Sequence, residues 1–326
     1  MNNTEQYITD NLTFYRNFFD GKKINPVLPY NSPSKSEQTI EMFIENRKRI
    51  SISGVQEKLS MVSDKGVLRL TNADEQGTYI LKPIPRDLKN TGDVPANEHL
   101  TMQIARQIYR INTAENCLVF FRDGTPAYLT KRFDINKNDK TKFGKEDFAS
   151  LAGKSHKNEG VNFKYNYSYE EIGLLIKQFI PAWRVEIEKY FVLVVFNYLF
   201  SNGDAHLKNF SLLQTLSGDY ILSPAYDLVN TRLHVDDTDF ALSKGLFVDN
   251  FKSEYFQKKN HAGRTDFIEF ARRIGVYEKR IEKLLLSFLQ KYTKLEDMIQ
   301  SSLLSEQNKR AYLLMYQTRL NYLKEN

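Results

Sequence analysis

The chain has 326 residues, of which 41% are hydrophobic, 26% charged and 13% aromatic, with 15 Gly and 9 Pro. That composition excludes collagenous, low-complexity and wholly disordered chains, and the length suffices for two domains or lobes that bury real cores. The single cysteine, Cys117, leaves no partner for a disulfide within the chain and excludes a thiol-only zinc site. Read in chain order, the opening MNNTEQYITDNLTF lacks the basic and apolar regions of a signal peptide. Residues 37–49 predict a helix with Ile40, Met42, Phe43 and Ile44 set among charges, after a turn-rich linker, NPVLPYNSPS, with three prolines. From Ser51 the pattern turns to strands. LSMV (59–62) and VLRL (67–70) flank Ser63-Asp64-Lys65-Gly66, a hairpin signal, and TYILKP (78–83) adds a third strand. A helix over 94–110 carries Leu100, Ile104, Ala105 and Ile108 on one face, and strands over 117–121 and 126–133 follow.

Beyond residue 145 the pattern is mostly helical, over 146–151, 169–179, 183–200, 265–274, 277–290 and 306–323. An irregular island at 201–230 interrupts it. The most apolar run, 190–200, contains Asn197 and falls short of the ~20 residues that span a bilayer, so a soluble, cytoplasmic protein without membrane contact is expected. The net charge of +6 arises in residues 251–326, which carry 15 Lys and Arg against 9 Asp and Glu. Their signs alternate, as on solvated helix faces, though a basic patch for nucleic acid or an acidic protein is the alternative.

Several motifs fail on inspection. Gly153-Lys154-Ser155 has the tail of a phosphate-loop motif, but Phe148 stands where the first glycine belongs. The five histidines are dispersed without zinc-ligand spacing. The island at 201–230 is different, because Asp204 and Asn209 lie five residues apart and Asp227 follows in PAYDL. Phosphoryl transfer asks a protein for a carboxylate to orient the attacking hydroxyl, oxygen ligands for Mg²⁺ and cations to offset charge. Asp-x₄-Asn with a second Asp has the spacing of a kinase catalytic loop, and His206 and Lys208 lie on the same loop. Upstream, Lys82 sits on the third predicted strand and Glu98 on the following helix, a candidate ion pair of the kind that holds nucleotide phosphates. Still earlier, SISGVQEKLSM (51–61) places Gly54 in a small-residue turn entering a strand. Backbone N–H groups over Ser53, Gly54, Val55, Gln56, Glu57 and Lys58 there can form an anion nest, although one glycine replaces the usual three. The order of these parts is that of a kinase.

The segments SISGVQEKLSM, YILKP (79–83), ANEHL (96–100), YLTKRFDI (128–135), KEDFASLAG (145–153), NGDAHLKNFSLL (202–213) and LSPAYDL (222–228) resemble the HipA family of bacterial serine/threonine kinases, the toxins of type II toxin–antitoxin systems. The resemblance implies an α+β, two-lobed, protein-kinase-like (HipA-like) fold, with a small β-rich N-lobe and a larger all-helical C-lobe. The expected divisions are an N-terminal segment (1–50) packed on the N-lobe, a nucleotide-binding N-lobe (51–135) and a helical C-lobe (136–326) with the catalytic and metal-binding loops. It implies ATP and Mg²⁺ as cofactors and a protein substrate, an aminoacyl-tRNA synthetase, whose modification arrests growth. Asp204 would be the catalytic base, Asn209 and Asp227 the metal ligands, and Lys82 the phosphate-binding lysine supported by Glu98. His206 and Tyr226 would line the nucleotide site, and Lys131 and Phe133 would meet the adenine through their backbone. Longer relatives carry an N-terminal domain of about a hundred residues, whereas 50 residues precede the loop here. That is similar to the short (HipT-like) kinases of three-gene HipBST-type systems. Such a kinase implies a helix-turn-helix, HipB-like antitoxin, a small HipS-like partner, contact with DNA only through the antitoxin, and autophosphorylation at Ser51 and Ser53. A phosphoserine there adds roughly −1.5 to −2 charge beside the nucleotide phosphates, which would suppress activity. Two other readings remain open: a non-catalytic nucleotide-binding scaffold of a DNA-bound repressor complex, and a small-molecule kinase.

Overall fold

Residues 114–141 join residues 1–99 in one unit, while residues 100–113 and 142–326 form a second. The computed structural model describes residues 3–48, 57–85, 89–136, 139 and 141–324. The first unit holds helices α1 (Asn3–Asp10), α2 (Leu12–Phe18) and α3 (Glu37–Lys48), strands β1 (Leu59–Asp64), β2 (Val67–Leu70) and β3 (Tyr79–Lys82), the start of α4 (Val94–Gln107), and strands β4 (Asn116–Phe120) and β5 (Pro126–Lys131). The strands form an antiparallel sheet in the order β2-β1-β3-β5-β4. Alternation in short β-branched and apolar runs decides which face is buried. Leu59, Met61, Leu68, Leu81, Cys117, Val119, Ala127 and Leu129 share one core cluster with Tyr15, Phe18, Phe19, Ile24, Leu28 and Phe43.

Thus the N-terminal segment completes the core of the sheet, and Tyr15 donates its hydroxyl to the Leu118 carbonyl at 2.6 Å. The segment expected to be a turn-rich linker runs beside β4 instead. Val27 bridges Phe120 in parallel, Leu28 N donates to Phe120 O at 2.7 Å, and Phe120 N donates to Pro26 O at 2.9 Å. Prolines are tolerated along a sheet's edge because the missing N–H is not needed there. Farther along, the backbone N–H and hydroxyl of Ser32 both donate to Asp123 Oδ2.

The second unit contains β6 (Lys145–Asp147), α5 (Phe148–Leu151), α6 (His156–Glu159), α7 (Tyr169–Phe179), α8 (Trp183–Leu199), β7 (Ser211–Gln214), β8 (Tyr220–Leu222), α9 (Glu254–Lys259), α10 (Arg264–Ile274), α11 (Glu278–Leu289), α12 (Thr293–Gln300) and α13 (Glu306–Lys324). Helix α8 is apolar on nearly every side and buried accordingly, as a central helix must be. Its one buried carboxylate, Glu186, accepts from Leu222 N at 3.1 Å. A capping box starts α7: Ser168 and Glu171 exchange hydrogen bonds between side chain and backbone.

The class is α+β, as expected, but two details differ. The second unit is not all-helical, since β6, β7 and β8 form an antiparallel sheet. The helix expected over 146–151 begins only at Phe148, because Lys145–Asp147 pair with β7, and Asp147 then caps α5 by accepting from Ser150 N at 3.0 Å. A strand of that length is set by its partner rather than by its own periodicity. Among the described residues no helix is long and apolar enough to cross a membrane.

Candidate active site

In the first unit, β3 ends on Lys82 and α4 presents Glu98. Lys82 Nζ meets Glu98 Oε1 at 2.5 Å, and both side chains are buried. The ammonium also lies 5.2 Å from the centre of the Tyr128 ring on the neighbouring strand, a cation–π distance. Lys131 closes β5. Its side chain pairs with Asp20 at 3.0 Å and Glu115 at 2.8 Å, and its N–H donates to the Glu115 carbonyl at 2.8 Å. Phe133 is half-buried two residues on, and Glu57 and Lys58 precede β1, also half-buried. Ser51, Ser53, Gly54, Val55 and Gln56 lie outside the described residues.

In the second unit, α8 runs into the loop that carries Asp204. The chain reverses at Ser201, whose φ of 53° is left-handed, and Asn202 N donates back to Asn197 O at 2.8 Å. Thr231 clamps the turn, its hydroxyl donating to Ser201 O at 3.1 Å and accepting from Gly203 N at 2.9 Å. His206 N donates to Asp204 O at 2.8 Å, and a 3₁₀ turn over Leu207–Asn209 leads into β7. Asp204 thus stands with its side chain half exposed, 3.8 Å from His206 Nε2.

Strand β8 returns the chain so that Asp227, itself left-handed at φ 55°, faces Asn209: Asn209 Nδ2 lies 3.5 Å from Asp227 Oδ2. Tyr226 does not extend a free hydroxyl. It lies 2.5 Å from Ser211 Oγ and donates to the Lys208 carbonyl at 2.9 Å, and burial pushes its phenol well above the ordinary value. Its ring lies under Lys145 Nζ, 5.1 Å from the centre. The loop therefore gathers Asp204, His206, Lys208, Asn209, Tyr226 and Asp227 within one unit.

Three neighbours escaped sequence reasoning. Tyr165 donates to Asp204 Oδ1 at 2.8 Å, Asp147 lies 4.0 Å from Lys208 Nζ, and Asp237 packs on Gly203. The alternation of Tyr165, Tyr167 and Tyr169 was the available signal, but alternation does not name a partner.

Chemically, an exposed carboxylate can accept a proton from a hydroxyl, and an amide oxygen with a carboxylate can share a divalent cation. Here the Asn209 nitrogen faces Asp227 while its oxygen accepts from His206 N at 3.3 Å. A turn of the amide would bring the oxygen to Asp227, and such a pair would suit Mg²⁺, which keeps waters and takes its remaining oxygens from phosphates. A closed protein cage is not what it offers: among the described residues no three His, Cys, Asp or Glu gather to hold a metal.

The fold has a HipA-like architecture. A chain of the Shewanella oneidensis MR-1 toxin–antitoxin complex of HipA, HipB and operator DNA superposes with a TM-score of 0.63, at 19% identity, over 87% of this chain and 69% of that one. The Helicobacter pylori proinflammatory kinase CtkA gives 0.51, at 16% identity, over 81% and 90%. At such identities the likeness is one of fold. The chain belongs to the HipA-like C-terminal domain family, which it matches over residues 50–295. Relatives include a Haemophilus influenzae protein named "Putative kinase", 27% identical over 93% of this chain and 89% of its own length. A Sinorhizobium fredii protein, "Putative kinase Y4dM", is 31% identical over 67% of this chain, which spans 54% of that relative.

Proposed function

We propose that this chain is a serine/threonine protein kinase that transfers phosphate from Mg-ATP, and the toxin of a type II toxin–antitoxin system. The observation that carries the reading is the placement of Asp204 on the same loop as Asn209, with Asn209 turned to Asp227 at 3.5 Å. In this reading Asp204 orients the acceptor hydroxyl and takes its proton. Asn209 and Asp227 hold Mg²⁺, which when bound offsets charge on the phosphates. Lys82, oriented by Glu98, binds the phosphates, and Lys208 offsets charge on the transferred group. His206, Tyr226 and the backbones of Lys131 and Phe133 are assigned to the nucleotide, and residues 53–58 are proposed to contact its phosphates.

The acceptor proposed is an aminoacyl-tRNA synthetase, with Ser51 and Ser53 as sites of self-modification that restrain activity. The fold shared with a HipA solved together with HipB and operator DNA supports a helix-turn-helix antitoxin as partner, with DNA reached through it. A short HipT-like kinase would add a HipS-like partner. A cytoplasmic location follows from such substrates.

The test is transfer of radiolabel from ATP to the chain itself and to purified aminoacyl-tRNA synthetases, with phosphopeptide mapping at Ser51 and Ser53. Asp204→Asn is expected to cut transfer to a small residual rate while Mg-ATP binding, measured by calorimetry, persists. Full transfer by Asp204→Asn overturns the assignment of the base.

A further inference from the structure

A side chain that reaches the Asp204 carboxylate comes from a segment outside the Asp-x₄-Asn loop. Tyr165 Oη donates to Asp204 Oδ1 at 2.8 Å, and its ring meets that of His206 edge-on, with centroids 5.2 Å apart. Lys164 Nζ lies 4.8 Å from the centre of the Tyr165 ring. The backbone of the same segment is held on both sides: Leu207 N donates to Lys164 O at 3.1 Å, and Ser243 N donates to Tyr165 O at 2.8 Å. Burial, and then the negative charge of Asp204, push the Tyr165 phenol upward, so it keeps its proton and remains a donor at neutral pH.

A half-exposed carboxylate turns easily about its side-chain bonds, whereas a base must meet the hydroxyl in line with the phosphorus. We propose that Tyr165 is a positioning residue for Asp204, fixing the orientation of the carboxylate through Oδ1 and acting through Asp204 rather than on the reactants. The proposal rests on the reading of Asp204 as the group that takes the proton. The same hydrogen bond makes the carboxylate a weaker base. Phosphoryl transfer through a loose transition state asks little basicity of the enzyme, so orientation outweighs that loss.

The test uses the full chain and labelled ATP, following label incorporation into the chain and into aminoacyl-tRNA synthetases against ATP concentration. Tyr165→Phe removes one oxygen and keeps the ring. It is expected to lower the maximal rate roughly 10- to 100-fold, the scale of a small misplacement of reacting groups. The ATP concentration at half the maximal rate and the thermal unfolding midpoint stay at the parent's values. A merely structural residue would shift those two instead, and that result overturns the proposal, as does a Tyr165→Phe rate equal to the parent's. A second measurement stands apart from folding: on the residual rate of Asp204→Asn, adding Tyr165→Phe should have no further effect, and an additive loss overturns the coupling. If Asp204→Asn itself transfers label at the parent rate, the reading of Asp204 fails. If it is inactive while Tyr165→Phe is unimpaired, only the role of Tyr165 fails.

Discussion

The ammonium of Lys82 and the carboxylate of Glu98 meet at 2.5 Å with side-chain exposures of 4% and 3%. Such a pair is costly to break from one side, because the remaining charge stays buried. Lys82→Met should therefore destabilise the chain by about 3–5 kcal/mol. Adding Glu98→Leu should recover most of that loss, since two apolar side chains fill the space without a charge. Urea denaturation of the parent, single and double variants measures this. In the proposed function the double variant stays folded and transfers no phosphate, which separates the pair's structural part from its chemical one.

Asn209 and Asp227 should govern the response to magnesium. Asp227→Asn keeps a residue tolerant of the left-handed backbone at φ 55° and removes only the charge. Loss of even an outer partner of a metal costs roughly 10-fold or more in affinity. A shift of at least that size in the Mg²⁺ concentration giving half-maximal label transfer is expected for Asp227→Asn. A magnesium response identical to the parent's would remove Asp227 from the metal site.

Gly203 precedes Asp204 where a side chain has no room. A Cβ there would stand 2.5 Å from Asp237 Cβ and 2.9 Å from its Cγ. Overpacking of this kind typically costs about 1–3 kcal/mol, and Gly203→Ala is expected to lower stability by that amount and displace Asp204. Asp237→Gly in the same chain removes both obstructing atoms and should restore most of the stability. Thermal unfolding of the three variants decides it, and an unimpaired Gly203→Ala would show slack in the loop.

Stability should also depend on His99. Its Nδ1 lies 2.9 Å from Asn116 Oδ1 and its ring packs against Phe14, and burial lowers its pKa to about 4 from the ordinary 6.5. The folded chain thus keeps this imidazole neutral where the unfolded chain protonates it. The contribution is fully present above pH 6.5 and is lost progressively as pH falls from 6.5 toward 4, by on the order of 1–3 kcal/mol. His99→Gln should flatten that part of the stability profile. Urea midpoints between pH 4 and 7 measure it, and an unchanged slope in the variant would assign the effect elsewhere.

Where local rules apply, the amino-acid pattern was enough. Expected helices over 169–179, 183–200, 265–274 and 277–290 appear within a residue of α7, α8, α10 and α11, because apolar residues at helical spacing carry the information within a few turns. Strands β1 and β2 were legible from the hairpin at Ser63-Asp64-Lys65-Gly66, and β3 from TYILKP (78–83). The Asp204–Asn209 spacing was likewise visible as a motif.

Other features depend on chain paths that no local window contains. Proline-rich residues 25–34 look like a linker until β4 supplies an edge for residues 26–28 to run along. Glu146 and Asp147 read as helix until β7 arrives 64 residues later to pair Asp147 with Ser211. Tyr165 is one tyrosine among 19, and its link to Asp204 spans 39 positions. By itself the sequence determined which residue types are available and the periodic elements that carry them. Tertiary structure alone decided which hydroxyl meets which carboxylate, since hydrogen bonds across long stretches of chain form only where packing has already closed the intervening loops.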